Sequence, residues 1–247
     1  MPSAPCLTKL ICCADQGFRK LRRVSEFCVS AVLPRRRIEL LQCEIKTKDY
    51  LSKMKAARAI KSGRCCFLDA DIFLRSDPFV LAPRKDVIYA VRDPGVYFDL
   101  VPLREDAVRL GFPADLYCNT GLFIWDAGNA RHRRAFSLAL EIAKEVPISK
   151  LVDFGEQSYL NAAWHRLGLE VQFLPATHNF FVSEPILSLQ RLKGATLENA
   201  VGIHLAGFAG PEGKMRKLRE LVREGHLPIS ERELNALVGT GKDGGGI

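Results

Sequence analysis

The sequence predicts an α/β fold: a mixed, mainly parallel sheet flanked by helices, followed by a basic helical C-terminal tail. Three observations carry this. Short apolar runs alternate with stretches of helical periodicity through the first two-thirds of the chain. With 247 residues, 47% of them hydrophobic, the chain can bury one large core. No apolar run approaches the roughly 18 residues that span a bilayer.

Residues 8–14, TKLICCA, read as a first buried strand leading into Asp15, and Arg19 to Val32 as a helix. RIELLQCEI (37–45) is a second strand. In KTKDYLSKMKAARAIKSG, Tyr50, Met54, Ala57 and Ile60 recur at helical spacing and Gly63 closes the helix. Strands follow at 64–69, 86–93 and 121–126, with the short helix REDAVRLGFP between the last two. A helix over 127–145 places Phe136, Leu140 and Ala143 on one face. A second helix, over 153–168, starts at a capping Asp153 and turns Leu160, Ala163, Trp164 and Leu167 inward, before the strand LEVQFLP. The glycine-rich end, GTGKDGGGI, is expected to be disordered.

The net charge of +8 is uneven. Residues 1–37 hold eight Lys/Arg against Asp15 and Glu26, dominated by RKLRR and the run Arg35 to Arg37. Such a face attracts phosphates, nucleic acid or an anionic membrane. Aromatics are few in the basic runs and no recognised nucleic-acid module is present, so nucleic acid is not expected as a partner. Near the C-terminus, Met215, Leu218, Leu221 and Val222 form an apolar stripe among Lys214, Arg216, Lys217, Arg219 and Arg223. The stripe suits either a helix packed on the domain or one lying on an anionic membrane.

Of the eight cysteines, Cys12, Cys13, Cys65 and Cys66 form adjacent pairs inside apolar runs, and no CxxC occurs. They read as buried thiols of a reducing compartment rather than disulfides or a zinc site. The N-terminal residues lack the order of a secretory leader. The expected location is cytoplasmic, with the basic face available to the inner membrane surface.

GRCCFLDADIFLRSDP (63–78) raises the chemical question. An apolar run ends on two aspartates, Asp69 and Asp71, and a carboxylate beside a core strand needs neutralising. Residues i and i+2 of a strand share a side, so the pair converges if the strand persists to Asp71. Open α/β sheets hold ligands at that end. Two convergent carboxylates ask for a cation, and their oxygens suit Mg²⁺, Mn²⁺ or Ca²⁺. The plainer alternative is a pair of aspartates capping the turn before SDP.

Three further segments follow in order. CNTGLFIWD (118–126) sets Asn119, Thr120 and Gly121 ahead of a strand. FGEQSYLN (154–161) sets Glu156 and Gln157 in the first turn of a helix, within reach of a sugar. GIHLAGFAGPEGK (202–214) sets His204 at a strand end, ahead of three glycines and Lys214. An imidazole can add a nitrogen ligand to a carboxylate-bound cation, which tilts the choice toward Mn²⁺ over Mg²⁺. A glycine-rich turn lets backbone N–H groups approach a phosphate with which a lysine can pair.

The ordered set FLDADIF, YCNTGLFIWD, FGEQSYLN and GIHLAGFAGPEGK resembles the GT-A fold nucleotide-diphospho-sugar transferases, and within them glycosyltransferase family 8. That family includes the glycogenins and bacterial lipopolysaccharide galactosyl- and glucosyltransferases. KLICCADQGF and DYLSKMKAARAI resemble its first strand and the basic helix before the DxD strand, so the likeness spans roughly residues 8–215. The resemblance implies a Rossmann-type GT-A domain over residues 1–211 and a helical extension over 212–247. It implies retaining transfer of a hexose from a UDP or related sugar to a saccharide or lipopolysaccharide-type acceptor, with Mn²⁺, or alternatively Mg²⁺, on the donor diphosphate. By matching positions, Asp69, Asp71 and His204 would hold the metal and Lys214 the diphosphate. Lys53 or Lys55 would face the donor sugar or phosphate, and Ala70, Asn119, Thr120 and Gly207 would line the donor. Asp15 would sit by the nucleoside. Glu156 and Gln157 would be the catalytic pair, Glu156 on sugar hydroxyls and Gln157 on the reacting face. An amide is a poor nucleophile, which favours attack by the acceptor from the leaving-group side over a covalent intermediate.

Two other readings compete. CCFLDADIF also resembles the phosphatase motif of the haloacid dehalogenase class, but there the motif opens the chain and Thr or Val follows. Here Ile72 follows Asp71 and no later Asp-Asp pair exists. A catalytically degenerate sugar-nucleotide-binding domain is the second, and it predicts binding without turnover.

Overall fold

The computed structural model describes residues 8–14, 16–34, 38–44, 51–100, 102–152 and 155–239. Asp15, the run Arg35 to Arg37, Tyr50, Asp153 and residues 240–247 of the glycine-rich end lie outside the described residues. The chain opens with β1 (Thr8–Ala14), α1 (Arg19–Val32), β2 (Ile38–Glu44), α2 (Ser52–Ala59), β3 (Arg64–Asp69) and β4 (Ile72–Leu74). It continues with β5 (Ile88–Arg92), α3 (Pro94–Tyr97), α4 (Leu103–Leu110), β6 (Cys118–Asp126), α5 (Ala130–Glu145) and α6 (Gln157–Arg166). The last elements are β7 (Val171–Leu174), β8 (Phe180–Phe181), α7 (Ile186–Leu192), β9 (Gly202–His204), α8 (Gly210–Arg223) and α9 (Glu231–Val238).

Six strands form one sheet in the order β2-β1-β3-β6-β5-β7. Pairings β1/β2, β1/β3 and β5/β7 are parallel, whereas β6 runs antiparallel to both neighbours. The sheet is thus mixed and mainly parallel: the alternation of elements predicts its parallel part, and the mixed character is what the GT-A resemblance implies. The reversed β6 matters most for the site. Its first residues lie beside the last residues of β3 and β5, with Leu122 opposite Leu68 and Cys118 opposite Arg92. A second, small sheet, β4-β9-β8, pairs Ile72 with His204 and so ties the segment after the DAD turn to the histidine.

Strand alternation sorts the core onto two faces. Cys65 and Phe67 of β3 and Phe123 and Trp125 of β6 point toward α2, α5 and α6, where Met54, Phe136, Leu160 and Trp164 are buried. Phe123 is the hub, its ring centroid 5.3 Å from Phe67, 5.0 Å from Trp125, 6.3 Å from Phe136 and 5.6 Å from Trp164. Cys66, Leu68, Leu122 and Ile124 face the other way, toward Val29 and Leu33 at the end of α1. The rest of α1 packs with α8 and α9: Leu21, Val24 and Cys28 share a cluster with Leu218, Leu221, Leu234 and Val238. The apolar stripe of α8 is therefore buried in the fold, and its basic residues Arg216, Arg219 and Arg223 are exposed.

Several boundaries differ from the sequence reading. The strand expected at 121–126 begins at Cys118, and the helix expected from 127 begins at Ala130, where the Asn129 side chain accepts from Arg131 N at 2.9 Å. The single basic helical stretch expected near the C-terminus is two helices broken at Gly225, whose φ of +75° suits glycine. The helix expected from Asp153 starts at Gln157, with Glu156 as a cap residue that makes no side-chain cap bond. Burial against Lys53 commits that carboxylate elsewhere.

Candidate active site

Six elements, α2, β3, β6, α6, β9 and α8, deliver polar groups to one end of the sheet. β3 ends on Asp69, and the strand does not persist to Asp71 as expected. Ala70 and Asp71 form the turn into β4 instead, and the two carboxylates converge through that turn. Ala70 is buried beside Phe18. β9 ends on His204, whose Nε2 lies 3.5 Å from Asp71 Oδ1. Ligand atoms of Asp69, Asp71 and His204 all lie within 4.8 Å of one another. Two carboxylates and an imidazole are a donor set for a divalent ion. Among the described residues, the buried His204 Nδ1 has no hydrogen-bond partner.

The start of β6 closes the floor. A Cβ on Gly121 would lie 3.1 Å from Asp69 Oδ2, 3.1 Å from His204 Cε1 and 2.9 Å from Asn119 Oδ1. The strand passes so close beneath the carboxylates that only glycine leaves them undisturbed.

Each aspartate has its own ammonium. Lys53 Nζ is 2.5 Å from Asp69 Oδ1 and 3.0 Å from Glu156 Oε1, and Lys214 pairs with Asp71. Burial raises the Asp71 carboxyl, but His204 and Lys214 outweigh it and hold the group below the usual carboxylate range. Glu156 moves the other way. Burial pushes its pKa up, the Asp69 charge adds to this, and Lys53 only partly offsets it. Lys214 Nζ also sits 5.2 Å from the Phe18 ring centroid. Lys55, two residues on from Lys53, is exposed on another side of α2.

A hydrogen-bonded relay joins the remaining residues. Thr120 Oγ1 donates to Glu156 Oε1 at 3.1 Å, and Thr120 N donates to Gln157 Oε1 at 3.0 Å. Gln157 Nε2 and Asn119 Nδ2 both donate to Asp93 Oδ2 at 3.0 Å. Asn119 Oδ1 accepts from Asn179 Nδ2 at 2.7 Å and from Gly121 N at 2.9 Å. Asp93 and Asn179 are central here and were missed from sequence. Asp93 carried a usable signal, since the apolar run VIYAV leads through Arg92 to it, much as the run before Asp69 leads to that carboxylate. Asn179 carried none: it sits in a short turn and meets Asn119 only through the fold. Gly207, with φ of +88° and its Cα face against Ser183, forms the turn after His204. Asp15 lies outside the described residues. The structure therefore brings together Lys53, Asp69, Asp71, Asn119, Thr120, Glu156, Gln157, His204 and Lys214, while Lys55 is exposed on α2.

The mixed sheet with its reversed central strand is an arrangement shared with solved glycosyltransferases. No protein-family model matches the chain and no curated protein sequence does. Solved glycosyltransferases match its structure. The galactosyltransferase LgtC, in complex with donor and acceptor sugar analogs, aligns with a TM-score of 0.62 at 15% identity, over 93% of this chain and 99% of its own. The bifunctional glycosyltransferase WbbM aligns at 0.61 and 12% identity over 84% of this chain, which spans about half (47%) of WbbM. The glycosyltransferase GlyE of Streptococcus pneumoniae TIGR4 aligns at 0.56 and 12% identity, over 90% of this chain and 65% of GlyE.

Proposed function

We propose that the chain is a metal-dependent glycosyltransferase that moves a hexose from a nucleotide-diphosphate sugar, UDP being the expected nucleotide, to a saccharide or glycolipid acceptor with retention of configuration. The observation that carries this reading is the Asp69, Asp71 and His204 cluster, with ligand atoms within 4.8 Å, in a glycosyltransferase fold and next to Lys214. A divalent ion bound there, Mn²⁺ in the first instance, would stabilise negative charge on the departing diphosphate. Lys214 is near enough to exchange Asp71 for a phosphate oxygen. Glu156, held by Lys53 and Thr120, is a fixed acceptor for sugar hydroxyls. The carbonyl of Gln157 accepts from Thr120 N and its amide donates to Asp93, so the side chain presents a fixed dipole rather than a nucleophile. That supports front-face attack, with the leaving phosphate oxygen taking the acceptor's proton.

The test is donor hydrolysis by the purified chain across UDP-, GDP- and ADP-sugars with Mn²⁺. Slow, Mn²⁺-dependent release of one nucleoside diphosphate is expected, from the UDP-sugars. Binding of nucleotide without turnover on any donor would shift the assignment to a degenerate binding domain.

A contact with an anionic membrane surface belongs to the same proposal. Among the described residues no helix is long and apolar enough to cross a membrane. Exposed Lys20 of α1 and exposed Arg216 and Arg219 of α8 line one cavity together with Glu212, and Arg19 and Arg23 of α1 are exposed as well. Binding to vesicles containing phosphatidylglycerol should be strong at low salt and fall as salt rises. Equal binding to neutral phosphatidylcholine vesicles would contradict it.

A further inference from the structure

Beside the donor residues lies a second cavity, of about 330 Å³, that the proposed function does not yet use. It begins one residue either side of Asp93: Arg92 ends β5 and Pro94 starts α3, and both line it. Asp93 itself holds Gln157 and Asn119, so the cavity adjoins the reacting end of the site by direct chain connection. Tyr97, Phe98 and Phe173 give it aromatic walls, and Lys193 at the end of α7 stands on its rim. Tyr97 is 46% exposed, more than an aromatic ring with a purely structural role needs.

Its charge is one-sided. Arg92 and Lys193 are both exposed cations, and among the described residues no acidic side chain lines the cavity. The Arg92 guanidinium lies 4.3 Å from the Phe173 ring centroid and 5.7 Å from that of Tyr97. Two rings thus steady its plane. Among the described residues it has no carboxylate partner, unlike Arg84, Arg104 and Arg134, each of which is paired with a nearby carboxylate. A guanidinium fixed by ring contacts, with its N–H donors uncommitted to any acid, matches a carboxylate or phosphate.

We propose that this cavity receives the acceptor, and that the acceptor is an acidic saccharide whose carboxylate or phosphate pairs with Arg92 and Lys193 while a sugar face rests on Tyr97. The proposal rests on the glycosyltransferase reading above and adds the acceptor's chemical class to it.

The test uses the full chain with UDP and Mn²⁺ present, and compares methyl β-D-glucuronide, glucose 6-phosphate and methyl β-D-glucoside by saturation-transfer NMR and calorimetry. At least one anionic probe should bind about tenfold tighter than the neutral glucoside, the scale of one charge-assisted hydrogen bond. Which of the two wins separates carboxylate from phosphate. Arg92→Met should erase the preference and Arg92→Lys should retain part of it, with thermal melting confirming that each variant is folded. Equal binding of charged and neutral probes overturns the proposal. So does no binding of either anionic probe, or a preference that survives both Arg92→Met and Lys193→Met. UDP–Mn²⁺ binding is recorded on the same samples: if it is present while the anionic preference is absent, only the acceptor class fails, and if it too is absent, the transferase reading fails with it.

Discussion

Replacing Asp71 with alanine should remove Mn²⁺ binding measurable by calorimetry and lower donor hydrolysis by about a thousandfold, the scale of losing a main electrostatic contact in a reacting site. The expectation rests on what Asp71 touches. Its carboxylate is buried, lies 3.5 Å from His204 Nε2 and pairs with Lys214. Among the described residues no neighbouring acid is spare to replace it, because Asp69 already supplies its own ligand atom to the cluster and Glu156 is held by Lys53 and Thr120. Alanine also strands Lys214 in a largely buried position, so Asp71→Asn serves as the companion variant: it keeps the side-chain shape while removing the charge. Both variants should lose the metal, and the asparagine variant should melt close to the parent chain. Full Mn²⁺-dependent turnover in Asp71→Asn would exclude the cluster as the metal site.

Phe123→Ala should be the most damaging single change to stability, costing about 3–5 kcal/mol as a large buried aromatic truncated to a methyl group. Against a total of about 5–15 kcal/mol, that is a large share. Phe123 is 3% exposed and contacts four other aromatic rings. Its loss opens a hole that β3, β6, α5 and α6 cannot fill together. A fall in melting temperature of roughly 6–20 °C follows for a chain of this size. Function should suffer too, since Phe123, Phe67 and Phe136 wall the small space behind Lys53 and Glu156. A variant melting within two or three degrees of the parent (about 1 kcal/mol at this chain length) would show that the cluster relaxes into the void.

Much of the site was legible in sequence because the signal was local. An apolar run ending on carboxylates, as at Cys65 to Asp71, is costly without a partner, and that cost is readable from composition alone. Helix α1 was legible because its apolar period is clean, and its observed span is Arg19–Val32. What failed depended on tertiary context. Alternating helices and strands favour parallel pairing, so nothing local announced that β6 returns antiparallel between β3 and β5. The helix expected from Asp153 begins at Gln157, and the Glu156 side chain beside it is held by Lys53 and Thr120, contacts that no local pattern announces. Lys53 and Lys55 could not be separated without knowing how α2 is rotated, which Met54 and Ala57 settle by packing inward. The i, i+2 argument for Asp69 and Asp71 reached the right convergence through the wrong geometry, since a turn rather than a strand joins them.

The reversed β6 has a further consequence for how such a protein can change. Its entry residues, Asn119 to Gly121, lie within a strand paired to β3 and β5, so the groups that the proposal turns toward the donor are carried by the central sheet. The aromatic and cationic walls of the neighbouring cavity come mostly from α3, the end of β7 and α7, at the margin of the sheet. On the proposed reading, chemistry and choice of acceptor would rest on separate material. Mutations in the second group would then redirect the protein to a new acceptor while the proposed bond-breaking residues stay where they are.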